Sequence, residues 1–150
     1  MFKFAKVDKS NWESVLKLSV FDHQKNFVPS VGESMTAAYV VPWDEAFDPF
    51  VIMKDDTLIG FFYISYTPKS KDNYWLGGYF IDKHYQNMGY GSLALDEIMI
   101  FIKHEFPECE LLSLTFVKNN SVALKLYEKH GFKTTGEINP EGEIIMRRKL

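Results

Sequence analysis

Apolar and polar residues alternate at the start of the chain, Phe2-Lys3-Phe4-Ala5-Lys6-Val7, and this period of two predicts a first β-strand. Ser10 or Asn11 then stands where a helix wants its N-cap, and Trp12, Val15, Leu16, Leu18 and Val20 follow at helical spacing. From Asp22 to Pro49 the pattern is poorer. Gln24, Phe27, Val28 and Pro29 precede a short helix expected to be capped by Ser34 and to carry Met35, Ala38 and Tyr39; a loop with Asp44, Glu45 and Asp48 comes next. Phe50–Lys54 and Leu58–Tyr66 are aromatic and β-branched runs joined through Asp55-Asp56-Thr57, which reads as a hairpin. The polar stretch Pro68–Asn73 links it to Tyr74–Ile81, so three strands are expected to meander in antiparallel order.

That third strand runs into Gln86-Asn87-Met88-Gly89-Tyr90-Gly91-Ser92 and then a long amphipathic segment in which Leu93, Leu95, Ile98, Met99 and Ile102 recur at helical spacing. Glycines without a Cβ let the backbone turn sharply at a helix start, where N–H groups and the helix dipole favour an anion. Pro107 marks a break, and Leu111–Val117 forms a strand that the right-handed crossover rule sets parallel to the strand before the helix. Asn119 and Asn120 open a further helix to about Lys129, Gly131 supplies a positive-φ terminator, and closing strands flank Gly142. The expected fold is α+β: a mixed, mostly antiparallel sheet with helices on both faces.

The 150 residues, 46% of them hydrophobic, suffice for one core and one domain, 1–150. Lys and Arg number 17 against 20 Asp and Glu, a net charge of -3 that argues against nucleic acid as a partner. Cys109 is the only cysteine and reads as an apolar filler; His23, His84, His104 and His130 lack ligand spacing, so no metal is indicated. No signal-peptide pattern or membrane-length apolar run is present, and a cytoplasmic protein without membrane association is expected.

Neither common phosphate cradle fits the glycine turn: no Lys follows the second glycine as in a P-loop, and the third glycine of the dinucleotide fingerprint is missing. Gln86-x-x-Gly89-x-Gly91 instead resembles the coenzyme A pyrophosphate loop of the GNAT superfamily of N-acetyltransferases, and Asn120-x-x-Ala123-x-x-Leu126-Tyr127-Glu128-Lys129-x-Gly131-Phe132 resembles that family's second signature, one strand downstream. The resemblance implies acetyl-CoA as cofactor. It implies that backbone N–H groups of Asn87, Met88, Gly89, Tyr90, Gly91 and Ser92 hold the pyrophosphate, with Gln86 opening the loop and Tyr79, Phe80 and Ile81 along the pantetheine arm. It also implies that Asn120, Ala123 and Tyr127 meet the cofactor, a sharing of one helix face that their spacing permits.

Acetyl transfer from a thioester to an amine needs a polarised carbonyl, an acid for the departing thiolate and a neutral attacking nitrogen. By resemblance Tyr127 is the acid, and a backbone N–H of Phe80 or Ile81 polarises the carbonyl. Related polyamine acetyltransferases carry an acid just before the Tyr79 position, where this chain has Gly77 and Gly78. No base is assigned, because Asp44, Glu45, Asp48 and Asp82 each read first as solvated loop carboxylates. Gln24-Lys25-Asn26-Phe27-Val28, with Ser34 and Ala38-Tyr39, resembles a bacterial branch of spermidine/spermine acetyltransferases. This implies a small-molecule amine acceptor, contacts from Gln24, and a hydrophobic entrance wall of Phe27, Val28 and Tyr39. It leaves room for a homodimer. The same cofactor machinery would serve acetylation of a protein N-terminus, an amino acid or an aminated antibiotic, or a CoA-binding module without turnover.

Overall fold

A computed structural model describes all 150 residues. The alternating start is β1 (Phe2–Lys6), and the hairpin and third run are β2 (Ala46–Lys54), β3 (Thr57–Tyr66) and β4 (Tyr74–Ile81). The long amphipathic segment is α3 (Tyr90–Glu105), followed by β5 (Leu111–Phe116), α4 (Ser121–Lys129), β6 (Lys133–Ile138) and β7 (Ile144–Lys149). Between β1 and β2 lie α1 (Trp12–Leu16) and α2 (Val31–Val40). The seven strands form one sheet in the order β1-β2-β3-β4-β5-β7-β6. Every neighbouring pair is antiparallel except β4 and β5. No helix is long and apolar enough to cross a membrane.

Each face of the sheet is covered. On one, α3 buries Ala94, Leu95, Ile98, Met99 and Ile102 against Phe62, Ile64, Leu112 and Leu114, with Tyr127 and Phe132 in the same cluster. On the other, Val15 and Val31 of the first two helices pack on Val51, Phe61 and Phe80. Each Val, Leu, Ile, Phe or Met among them contributes about 1.5–3 kcal/mol when fully buried.

Several expectations need correction. The first helix stops at Leu16, short of Val20. The Ser19 N–H donates to Asp82 Oδ2 (2.9 Å) and the Lys83 N–H to the Ser19 carbonyl (2.8 Å), so two bonds from beyond β4 hold the chain in a non-helical path. The side chain of Asn11 does not cap α1; it bridges the Asp8 N–H (2.9 Å) and the Lys6 carbonyl (3.0 Å). The α2 cap is Ser30, not Ser34: Ser30 Oγ accepts the Glu33 N–H (3.1 Å) and Glu33 Oε1 accepts the Ser30 N–H (3.2 Å), a reciprocal capping box. Ser34 lies inside the helix and is buried. Asp48 belongs to β2 and accepts the Tyr66 hydroxyl (2.7 Å). In α3 the inward position next to Leu95 is Ala94, and Leu93 is exposed.

Candidate active site

The parallel pairing of β4 with β5 covers only Tyr74–Leu76 against Leu112–Leu114. Beyond Leu76 the two strands part, and β4 also carries a bulge. Phe61 pairs with Phe80 but Tyr63 with Gly77, which leaves one extra β4 residue opposite Phe62, and Gly78 takes φ +60° there. The fork opens a cleft of ≈ 910 Å³ that includes residues from both sheet faces.

Along β4 the cleft is lined by Tyr79, Phe80 and Ile81, and from α4 by Asn120, Ala123 and Tyr127. The ladder directs Asp82 N–H to the Ile59 carbonyl (2.8 Å), and its alternation turns the backbone of Ile81 to the open side, where its carbonyl accepts from Gln86 Nε2 (2.9 Å). Ile81, rather than Phe80, is thus the strand residue whose N–H faces the fork. Asn120 caps α4 through Oδ1 to the Ala123 N–H (3.2 Å). Tyr127 is packed between the rings of Phe116 and Phe132, makes no hydrogen bond within the chain, and lines the cleft. Burial raises its phenol to about 12, so it is neutral at physiological pH.

The glycine turn is shorter than the motif suggested: Gly89 is the N-cap at φ +80°, and Tyr90, Gly91 and Ser92 already form the first turn of α3. Asn87 also has positive φ (64°). Gln86 and Gly91 line the cleft, while Asn87, Met88, Gly89, Tyr90 and Ser92 extend the loop and helix start beyond its lining. A Cβ at Gly89 would meet nothing within 4 Å, and one at Gly91 only Ile81 Cγ1 at 3.9 Å, so no side chain crowds the backbone at the helix start. Behind it, Ser92 Oγ lies 2.9 Å from His130 Nε2 and accepts from Lys129 Nζ (3.3 Å), while His130 Nδ1 is 2.7 Å from Asp96 Oδ1. The Tyr79 hydroxyl donates to the Gly91 carbonyl, tying β4 to the helix start.

The residues expected near an acceptor divide. Phe27 and Val28 line the cleft. Gln24 also lines it, but its amide is paired reciprocally with Gln86 (3.0 and 2.9 Å) and accepts the Phe21 N–H (3.1 Å), which locks the first loop to the glycine turn. Tyr39 is 91% exposed on α2 and forms no part of the cleft wall. Asp82 is not a solvated loop carboxylate: it is buried, and three hydrogen bonds, from the Ser19 N–H, the His84 N–H and the His84 ring, hold its pKa below the usual value despite desolvation.

The motifs passed over the far end of the cleft altogether. Trp43, Asp44, Tyr63, Ser65, Asn73 and Trp75 meet there with Thr115, Glu141 and Glu143. Asp44 Oδ2 accepts from Ser65 Oγ (2.6 Å) and Oδ1 from Asn73 Nδ2 (2.9 Å). Glu143 Oε1 accepts from Asn139 Nδ2 (2.9 Å). Gly77-Gly78 inside a strand was the one sequence signal, since paired glycines there mark a close approach. The approaching group is the Tyr63 ring.

The profile of the Acetyltransferase (GNAT) family matches residues 12–132. The chain is 29% identical over 149 residues to a probable spermine N(1)-acetyltransferase of Bacillus subtilis subsp. natto, covering 96% of this chain and 95% of that one. Its fold matches spermidine N-acetyltransferase from Vibrio cholerae, crystallised with CoA and spermine, at a TM-score of 0.72, 16% identity and coverage of 99% and 94%. It matches an aminoglycoside acetyltransferase in complex with coenzyme A at 0.77, 14% identity and coverage of 99% and 95%. With the family match over most of its length, this chain belongs to the GNAT family as an acetyl-CoA-dependent N-acetyltransferase.

Proposed function

We propose that the acceptor is a primary amine of a small polycation of the spermidine or spermine type. The observation that carries this reading is the charge of the cleft: its lining holds Asp44, Glu141 and Glu143 and no lysine or arginine. A cationic acceptor is attracted there, and the exposed indole of Trp43 and the ring of Trp75 offer faces on which an ammonium or its methylenes can rest. The full-length likeness to a probable spermine acetyltransferase supports the same acceptor.

Acetyl-CoA, when bound, supplies an activated thioester carbonyl and a thiol leaving group. The backbone N–H groups from Asn87 to Ser92 hold the pyrophosphate end, and the α3 dipole adds to their effect. The Ile81 N–H, directed into the fork, polarises the carbonyl. Asn120 fixes the start of α4, so that Ala123 and Tyr127 on the cleft side of this helix would line the cofactor arm. The Tyr127 hydroxyl would offer a hydrogen bond to the developing thiolate.

The test is release of free CoA by the purified protein with spermidine, spermine, an amino acid, an N-terminal peptide and an aminoglycoside in parallel. The reading expects kcat/KM for a polyamine to exceed that for the amino acid and the peptide at least about tenfold, since one well-placed charged contact contributes about 1.5–3 kcal/mol. A preference for the peptide or the aminoglycoside would overturn it.

A further inference from the structure

The cleft brings together a phenol that no motif pointed to and a place for its hydroxyl that the sheet was shaped to provide. Tyr63 comes from β3, yet its ring lies across β4: a Cβ at Gly77 would overlap Tyr63 Cζ and Oη, and one at Gly78 would stand 2.8 Å from Cδ2. Gly77 follows Leu76, the last β4 residue paired with β5, so the phenolic oxygen sits at the apex of the fork. The ring is held by stacking on Phe47, with centroids 4.2 Å apart and planes at 24°. None of that packing uses the hydroxyl, which makes no hydrogen bond within the chain while the residue lines the cleft.

We propose that Tyr63 positions the acceptor: its hydroxyl oxygen accepts an N–H of the attacking nitrogen, and Asp44, held on Ser65 at the same face of β3, binds a second ammonium. This rests on the polyamine reading above and assigns residues to it. Tyr63 packs with the first two helices and Tyr127 with the last two, so the two phenols flank the fork from opposite faces of the sheet. The nitrogen thus arrives from one side while the sulfur leaves on the other. Across the fork, on the β5 side, Glu143 is held by Asn139 and by Thr115 Oγ1 (3.5 Å). Burial, reinforced by the Glu143 charge, raises Tyr63 to about 12, so it stays a neutral phenol that can accept an N–H without carrying charge.

Asp44 is anchored on Ser65, two residues beyond Tyr63 and on the same face of the strand. An acceptor that carries a second ammonium reaches Asp44 while its attacking nitrogen meets Tyr63, which selects a diamine or polyamine over a monoamine. Trp75, whose Nε1 donates to Asn73 Oδ1 (2.8 Å), stiffens the same anchor.

The test compares wild type, Tyr63→Phe and Asp44→Asn with 1,4-diaminobutane and butylamine, following CoA release and, for wild type with CoA bound, amine binding by calorimetry. Wild type should prefer the diamine about tenfold. Tyr63→Phe keeps the ring and should lower kcat/KM for both amines about tenfold with the KM for acetyl-CoA unchanged, a split that a packing role would not produce. Asp44→Asn should erase the preference for the diamine. Unchanged amine kinetics in Tyr63→Phe, or a diamine preference that survives Asp44→Asn, overturns this inference and leaves the polyamine reading standing. If wild type neither binds nor acetylates the diamine and also rejects spermidine, the polyamine reading falls, and the inference with it.

Discussion

Replacing Tyr127 by Phe isolates one hydroxyl at the end of the cleft. The ring stays between Phe116 and Phe132, and the lost oxygen had no partner in the chain, so folding stability should change by less than about 1 kcal/mol and the melting temperature should barely move. Catalysis should not be spared. The phenol is held at about 12 by burial. A thiolate whose thiol titrates near 8.5 in water is a poorer base than that phenolate by an amount that makes complete proton transfer uphill by about 5 kcal/mol, at 1.36 kcal/mol per pKa unit. The hydroxyl therefore acts chiefly as a hydrogen-bond donor to developing negative charge, an interaction of about 1.5–3 kcal/mol. That converts to a fall in kcat of roughly 10- to 150-fold, at the low end of the ~10²–10⁴-fold range for a general acid. The assay is CoA release at saturating spermidine, with the KM for acetyl-CoA measured in parallel and expected to change much less. A loss near 10⁴-fold would mean that the cleft raises the basicity of the sulfur enough for full transfer. Undiminished kcat across a pH series would refute the assignment and leave Tyr127 as a packing residue.

Gly89→Asp adds a carboxylate at a position with φ +80° facing open space, so the variant should fold yet bind acetyl-CoA far more weakly; unchanged calorimetric affinity would remove the glycine turn from the cofactor site. Asn120→Ala loses the cap on the Ala123 N–H and should cost about 1 kcal/mol in denaturant unfolding while raising the KM for acetyl-CoA. Cys109 is fully buried with its thiol pushed up to about 11, so native protein should not react with an aromatic disulfide reagent at pH 8 and unfolded protein should; rapid labelling of the native state would contradict that burial. Tyr63 and Tyr127 are both raised from 10.0 to about 12, so the folded state keeps protons that the unfolded chain releases near 10. Their contribution to stability is complete below about pH 10 and is lost as pH rises through about 12, which unfolding midpoints measured from pH 8 to 12 should follow.

The sequence by itself determined the parts whose causes are local. The period of two in Phe2–Val7 and in the hairpin runs, the helical period from Leu95 to Ile102, and the glycine and asparagine at the starts of α3 and α4 are each set within a few residues of where they act. The seven-residue spacing of Asn120 and Tyr127 was readable for the same reason, because a helix repeats on that scale. Ser30 is local too: Ser30-x-x-Glu33 is a capping box, and it starts the helix four residues before Ser34. Other features depended on partners far along the chain. The first helix ends where Ser19 meets Asp82, 63 residues away, and Gln24 turned from a candidate acceptor contact into a lock on Gln86, 62 residues away. Gly77 and Gly78 looked like the absence of an acid, and only the approach of Tyr63 from the neighbouring strand explains why no side chain fits there. The far end of the cleft gathers Asp44, Tyr63, Trp75 and Glu143 from four separate elements and loops. No short-range spacing encodes that meeting; it exists because β4 and β5 part after Leu76 and Leu114, and the parting of two strands is a property of the assembled sheet rather than of either segment.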